Sequence, residues 1–309
     1  MPRTIGLIGA PSSAGAHWPG QEKAAAALRT VGLVERLEEV GLRVNDHGDL
    51  PRVRFRPDKR RRHQQNLSAV VEVASQVAER VEATVRANQV SLVLGGDCTI
   101  ELGVLAGALR GGHIGELGLL YVDGHADLNT PVTSTSGILD SMGVAHMIAE
   151  EGTAEELSRV GPRFPLLAEE MIVLFGYNPR ELNDAEADAL AQRRMPRYPL
   201  GEIRGRAEAV ATEALSEIEG KAERFLVHLD VDVIDFTDCP IADVPQQGAG
   251  LQLREATSCL KLFVRSPKFS GLTITEINPD HADEEGALLG ALLGAFAESI
   301  ADVLAPIGR

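Results

Sequence analysis

The stretch Leu117-Gly118-Leu119-Leu120-Tyr121-Val122-Asp123-Gly124-His125-Ala126-Asp127 decides the fold. It begins as an apolar run of strand length and ends with Asp, His and Asp at alternate positions. A second stretch repeats the arrangement, with Phe225-Leu226-Val227-His228-Leu229 leading into Asp230-Val231-Asp232. Short runs this rich in Leu and Val read as buried strands. In an extended chain residues i, i+2 and i+4 point to the same side. Asp123, His125 and Asp127 are therefore expected to converge on one point, as are Asp230 and Asp232. Four carboxylates and an imidazole at two strand ends repel one another unless a cation lies between them. Multivalent metal is the simplest neutraliser, with more than one ion. Taken singly, each acid could also cap a helix or sit solvated after its strand; the alternating pairs favour the metal.

Outward from these two stretches, strand-like and helix-like segments alternate. Thr4–Gly9 reads as a strand, followed by a loop of Gly, Pro and Ser to Gly20 and a helix over residues 21–37. Residues 67–87 have the spacing of a long amphipathic helix, Val90–Leu94 that of a strand, and residues 99–109 that of a helix. Further strands are expected at Leu117–Val122, 171–175, 225–229 and 272–275, long loops at 150–170 and 236–250, and a closing helix rich in Ala and Leu at 285–304. Such βαβα alternation predicts an α/β fold, a three-layer α/β/α arrangement with a mostly parallel central sheet. No linker, repeat or low-complexity stretch interrupts it, so residues 1–309 are expected to form a single domain. Ligands of such sheets bind beyond the carboxyl ends of the strands, where Asp97, Asp123, Asp127, Asp230, Asp232 and Glu276 all fall.

Composition narrows the function. The chain has 309 residues, 44% hydrophobic and 24% charged, with aromatics at only 4%, so its core is built from Leu, Val, Ala and Ile. A formal net charge of -15 argues against nucleic acid or an anionic membrane as partner. The one dense basic run, residues 52–62, reads as a solvated loop or helix start, or else as a contact to an acidic neighbouring subunit. Three cysteines, Cys98, Cys239 and Cys259, together with an N-terminus that leads straight into a strand, set the expectation of a reducing, cytoplasmic setting. No apolar run approaches the ~20 residues that span a bilayer.

Four strand ends carry the chemistry: Gly95-Gly96-Asp97-Cys98-Thr99, Asp123-Gly124-His125-Ala126-Asp127, Asp230-Val231-Asp232-Val233-Ile234-Asp235 and Glu276-Ile277-Asn278-Pro279. In this order and spacing they resemble the arginase/agmatinase/formiminoglutamase superfamily, the ureohydrolases. Ile8-Gly9-Ala10-Pro11 is similar to the family's first strand and loop, and residues 129–137, Asn-Thr-Pro-Val-Thr-Ser-Thr-Ser-Gly, to the substrate loop of the arginase branch. The resemblance implies two manganese ions, with Asp123 and Asp230 bridging both, Cys98 and Asp127 completing one shell, and His125 and Asp232 the other. It also implies a water or hydroxide between the ions as nucleophile, Asp127 as the group that passes a proton to the leaving nitrogen, and Glu276 as partner of a guanidinium. Asn129, Ser134 and Ser136 match positions that bind a substrate α-carboxylate. Trimers or hexamers are usual among relatives, so a homo-oligomer is expected.

The chain departs from that pattern at three places. Cys98 stands where the family has His; a thiolate is softer than imidazole and favours Zn²⁺ or Fe²⁺ over Mn²⁺. Superfamily members that act on N-hydroxylated arginine also carry Cys there. The site would then hold two ions with one bound differently, or one tightly and one loosely, or Cys98 would be an inert residue beside a degraded site. Asp140 stands where the arginase branch has a histidine that shuttles protons, and a carboxylate ionised near neutral pH accepts hydrogen bonds but does not donate a proton; His146, six residues on, is read as structural. Asn178 is the nearest match to an acidic residue that binds the substrate α-amino group. Asp97 is read as a helix cap or an outer-shell group, His228 as a hydrogen-bonded core histidine more readily than a site residue, and Cys239 and Cys259 as structural.

These residues point to a metal-dependent hydrolase of a guanidino or linear amidine C–N bond in a small, arginine-like, carboxylate-bearing substrate, either arginine or an N-hydroxylated relative. The alternatives are an agmatinase- or formiminoglutamase-like amidinohydrolase, and a catalytically weak member that serves as a ligand-binding or structural subunit. The expected cofactors are two divalent ions, Mn²⁺ by resemblance, with Zn²⁺ or Fe²⁺ admitted by Cys98.

Overall fold

Eight parallel strands form the spine of the protein: β1 (Thr4–Gly9), β2 (Arg43–Asp49), β3 (Val90–Leu94), β4 (Leu117–Val122), β5 (Ile172–Phe175), β6 (Arg197–Tyr198), β7 (Arg224–Asp230) and β8 (Phe269–Thr275). The computed structural model describes residues 4–112, 115–245, 247–281 and 287–306. The strand order is β2-β1-β3-β8-β7-β4-β5-β6, and every pairing is parallel. The four strands that precede the chemical motifs are thus the four in the middle, β3-β8-β7-β4. Because they run parallel, their carboxyl ends share one edge, although the motifs span residues 95 to 279 of the chain.

The predicted three-layer arrangement holds. Successive residues of β4 face opposite ways: Leu117, Leu119 and Tyr121 enter one apolar cluster, Leu120 and Val122 the other. The first cluster is covered by α3 (Leu67–Arg86), α4 (Ile100–Gly111) and the short α5 (Gly143–Met147) and α6 (Glu155–Ser158). The second is covered by α1 (Ala24–Thr30), α2 (Leu33–Glu39), α9 (Ala207–Glu219), α10 (Leu253–Arg265) and α11 (Ala287–Leu304); α7 (Asp184–Ala191) and α8 (Leu200–Ile203) lie between strands of the β5 side. No helix among the described residues is long and apolar enough to cross a membrane.

Several expected elements change. The helix expected over 21–37 is a short 3₁₀ turn followed by α1 and α2, broken at Gly32, whose φ of 84° no other residue type adopts readily. β2 lacks an apolar alternation because it is an edge strand; its Asp46 and Asp49 bind Arg29 of α1, and such charges protect an open edge. The loop expected at 150–170 contains α6, whereas α9 and α10 have no counterpart in the sequence reading. The closing helix is described from Ala287; Glu285, its expected start, lies outside the described residues. Residues 52–62 form an exposed loop.

Helices α3 and α4 pack closely because α4 carries glycines at 103 and 107, one turn apart. A Cβ at Gly103 would lie 2.4 Å from the Ala74 carbonyl oxygen, and one at Gly107 2.4 Å from that of Ala78. Both obstacles are backbone, which cannot swing aside. Gly103→Ala and Gly107→Ala are each expected to cost about 1–3 kcal/mol of stability, while Gly201→Ala, with nothing near its Cβ, should be neutral or stabilising. Urea denaturation midpoints check this; equal midpoints for all three variants would refute the close-packing argument.

Candidate metal centre

The chain does not stay extended past β4, so the expected i, i+2, i+4 convergence is reached by another route. After Val122 it turns: the His125 N–H donates to Asp123 Oδ1 at 2.6 Å, and Asp127 takes a left-handed φ of 50°. After β7, Asp230 closes a similar turn by accepting the Asp232 N–H at 2.7 Å. Glu276, just past β8, is also left-handed, with φ 66°. Such conformations cost about 1–3 kcal/mol in non-glycine residues and persist where surrounding contacts impose them.

The side chains that result fall into three groups whose potential ligand atoms all lie within 4.8 Å of one another: Asp123, His125 and Asp232; Cys98, Asp123 and His228; and Cys98, Asp140 and Glu276. Asp123 is shared by the first two. His125 Nδ1 lies 2.8 Å from Asp232 Oδ2, and Cys98 Sγ lies 3.2 Å from Asp230 Oδ2. Asp127 and Asp230 belong to none of the three groups: Asp127 Oδ2 accepts the Tyr121 phenol at 2.5 Å, and Asp230 Oδ2 lies against Cys98. Nor does Asp97 point into the centre; it accepts hydrogen bonds from Gly15, Ser12 and Thr99 and so fastens the β1 loop to the start of α4.

The donor set fits divalent cations. Asp123 is buried, and its Oδ2 has no hydrogen-bond partner among the described residues. Glu276 is buried too; Gln21 Nε2 donates to its Oε2 at 2.5 Å, the Asp140 carboxyl is within hydrogen-bonding reach of the side chain, and no N–H or hydroxyl among the described residues reaches Oε1. Buried polar atoms left this way need a partner from outside the chain. Burial, followed by repulsion from neighbouring acids, drives the carboxyls of Asp123, Asp230, Asp140 and Glu276 well above the ordinary range. Burial also pushes Asp127 up to about 7, against the pull of His125 and the Tyr121 hydrogen bond. For His125, burial alone would lower the value, but Asp232 overrides it and raises it to about 10. Asp140 accordingly departs from the sequence reading. Burial and the neighbouring acids Asp97 and Asp127 raise its carboxyl well above the usual range, while the Cys98 N–H, which donates to Oδ1 at 2.7 Å, pulls the other way.

A cleft of about 240 Å³ opens onto this centre. Its lining includes the expected Asn129, Ser134 and Ser136, with Asp127, Asp140 and Glu276 deeper in. Asn178 is not among the lining residues; its side chain accepts the Arg180 N–H and its backbone N–H binds the Gly124 carbonyl. Glu181, Asn183 and Glu186 line that side instead. Glu186 held a sequence signal that went unused: Asn183 and Glu186 form the capping box that starts α7, readable as Asn-x-x-Glu. His17, also in the lining, had no such signal. His146 is held by backbone at both ring nitrogens, through Met142 O at 2.7 Å and the Ala154 N–H at 3.1 Å, and is structural as expected. Cys239 and Cys259 are buried away from the cleft.

These titrations set a stability test. A carboxyl whose folded pKa exceeds its unfolded value holds an extra proton when folded, so its contribution is complete at low pH and lost as pH rises through the folded value. For Asp127 that window runs from 3.8 to about 7, and His125 extends the loss from 6.5 to about 10. The metal-free chain is therefore expected to melt at lower temperature at about pH 8 than at about pH 5, and added Mn²⁺ or Zn²⁺ to raise Tm more at the higher pH. A chelated sample whose melting temperature climbed over that interval would contradict the assignment of buried, uncompensated acids.

Relatives with the same architecture are known. The arginase family profile matches residues 3–297. Human arginase-1 is 33% identical over 281 residues, covering 90% of this chain and 85% of its own length. Arginase of Bacillus caldovelox is 30% identical over 283 residues, covering 90% and 91%. The crystal structure of arginase from Bacillus cereus superposes with a TM-score of 0.86 at 25% identity, over 99% of this chain and all of that one. The chain belongs to the arginase family of hydrolases, the ureohydrolases that act on guanidino and amidino C–N bonds.

Proposed function

We propose that this ureohydrolase acts on a guanidino acid, arginine or an N-hydroxylated arginine, with both its α-carboxylate and its α-ammonium recognised. The observation that carries this reading is the polarity of the cleft. Its lining combines the hydroxyls of Ser134 and Ser136 with the acids Glu181 and Glu186, and Asn129 is joined to Glu186 through Asn183, whose Nδ2 donates to both. Ser134 Oγ accepts the Gly137 N–H and Ser136 Oγ the Ile138 N–H. The two hydroxyls also lie 3.3 Å apart, so one can donate to the other and leave the second proton for an anion. Burial raises Glu186, which forms no ion pair among the described residues, and a substrate ammonium beside it would favour its ionised form. The acidic group expected at Asn178 is thus supplied a few residues later.

In this reading Glu276 receives the planar cationic head of the substrate. Gln21 fixes its Oε2, and its Oε1 is open to a fork of N–H donors. Asp127, with a pKa near neutrality and a phenol that orients it, is suited to take and return a proton at Oδ2. Asp140, beside both Glu276 and Cys98, supplies a proton where the arginase branch has an imidazole. Divalent cations bound among Cys98, Asp123, His125 and Asp232, with Asp230 3.2 Å from the Cys98 sulfur, would neutralise these acids and lower the pKa of a water for attack on the amidine carbon. Mn²⁺ is the metal suggested by kinship, and Zn²⁺ or Fe²⁺ by the thiol.

The α-carboxylate is the group to test. A guanidino acid and its decarboxylated amine differ there alone, and each charge-assisted hydrogen bond lost costs ~1.5–3 kcal/mol, a factor of roughly ten or more in kcat/KM. The acid is expected to be preferred by at least that factor. Equal kcat/KM for arginine and agmatine would move the assignment to an agmatinase-like enzyme.

A further inference from the structure

His228 is more than a core histidine. Its Nε2 lies 3.3 Å from Cys98 Sγ, and its Nδ1 lies 3.3 Å from Glu101 Oε2. All three side chains are buried, and Tyr121 stacks flat on the imidazole with centroids 4.3 Å apart. With Glu101 against Nδ1, the other ring nitrogen, Nε2, faces Cys98 Sγ and the Thr275 hydroxyl, which lies 3.3 Å from it. Metal-bound histidines have this arrangement, the far nitrogen donating to a carboxylate.

We propose that His228 is a metal ligand, and that Cys98, Asp123 and His228 hold one ion while Asp123, His125 and Asp232 hold the other. The separations suit a small tetrahedral ion. With a metal–sulfur bond of about 2.3 Å and metal–nitrogen or metal–oxygen bonds of about 2.1 Å, two neighbouring donors lie about 3.5 Å apart. Cys98 Sγ is 3.3 Å from His228 Nε2, and a carboxylate oxygen of Asp123 lies within 4.8 Å of both. The unpartnered Oδ2 of buried Asp123 is an independent sign that hydrogen bonds alone do not complete the cluster. Cys98, in the turn after β3, and His228, within β7, stand on opposite sides of β8. The imidazole that the family has at position 98 is thereby supplied from position 228, and the Cys98 thiol joins it as a second donor. A sulfur, nitrogen and oxygen set shifts the preference of this ion towards Zn²⁺ or Co²⁺ and away from Mn²⁺.

This inference rests on the ion-binding reading above but on no choice of substrate. It is tested on the full-length chain, stripped with chelator and titrated with Co²⁺. The thiolate-to-cobalt charge-transfer band reports only the ion bound to Cys98. The parent is expected to develop that band together with the intense visible bands of tetrahedral cobalt. Glu101→Gln should weaken the ion read by the band by about ten- to a hundredfold, with the band itself retained at saturation. His228→Asn should lose more affinity and shift the visible bands. Both variants binding Co²⁺ with the parent's affinity and spectrum would overturn the proposal. Ion uptake by the parent without the band would also overturn it while leaving metal binding intact. A parent that takes up no ion at all would remove the metal reading itself. If His228→Asn fails to fold, the isosteric Glu101→Gln decides alone.

Discussion

Acidic groups crowded out of water at one sheet edge are the constraint on which the rest of this structure depends. Asp123, Asp230, Asp232, Asp140 and Glu276 are all buried there, with the Cys98 thiol among them. In a dry setting each would cost several kcal/mol to ionise alone, and each makes its neighbours harder to ionise. The scaffold is arranged to hold them regardless. Parallel strands put four chain segments side by side with their ends aligned, and the middle four strands are those that bear the motifs. Strained turns at Asp127 and Glu276 are kept by the same packing. A fold that invests its core in an acidic cluster is specified for a cation, and the open oxygens of Asp123 and Glu276 show where the hydrogen-bond supply of the chain ends.

The layers and the site edge were legible because they follow from period and apolar content. Leu117–Val122 and Phe225-to-Leu229 could only be buried strands, and the acids after them had to lie at the carboxyl edge. β2 was illegible for the opposite reason: Arg43–Asp49 is polar throughout and is a strand only because β1 offers it an edge to pair with. The break at Gly32 shows the same limit, since helical spacing continues across a residue whose backbone does not. Within the site, residue types were readable and directions were not. Asp127 has the right chemistry two residues from His125, yet its left-handed backbone turns it to Tyr121. Asn178 was nearest in sequence to the expected acidic position, but the cleft is reached by Glu181 and Glu186 further along.

Two imidazoles of the arginase pattern are absent here, and their replacements act together. Cys98 and Asp140 are not separate losses: the Cys98 N–H donates to Asp140, and both side chains close on Glu276. Exchanging two neutral bases for two acids would add negative charge to a cluster already short of cations. At Asp140 burial works against the added charge, raising the carboxyl above the usual range. At Cys98 the offset comes from across β8, where His228 brings a base and Glu101 orients it. Donor chemistry is thereby redistributed among strands with the sheet unchanged. A single ligand exchange in such a centre is therefore weak evidence of lost activity, because β7 and α4 bring further donors to the same place. The softer donors cluster on the side of Cys98, and the harder set of Asp123, His125 and Asp232 lies on the other. Two positions with different donors, sharing one carboxylate, need not hold the same metal.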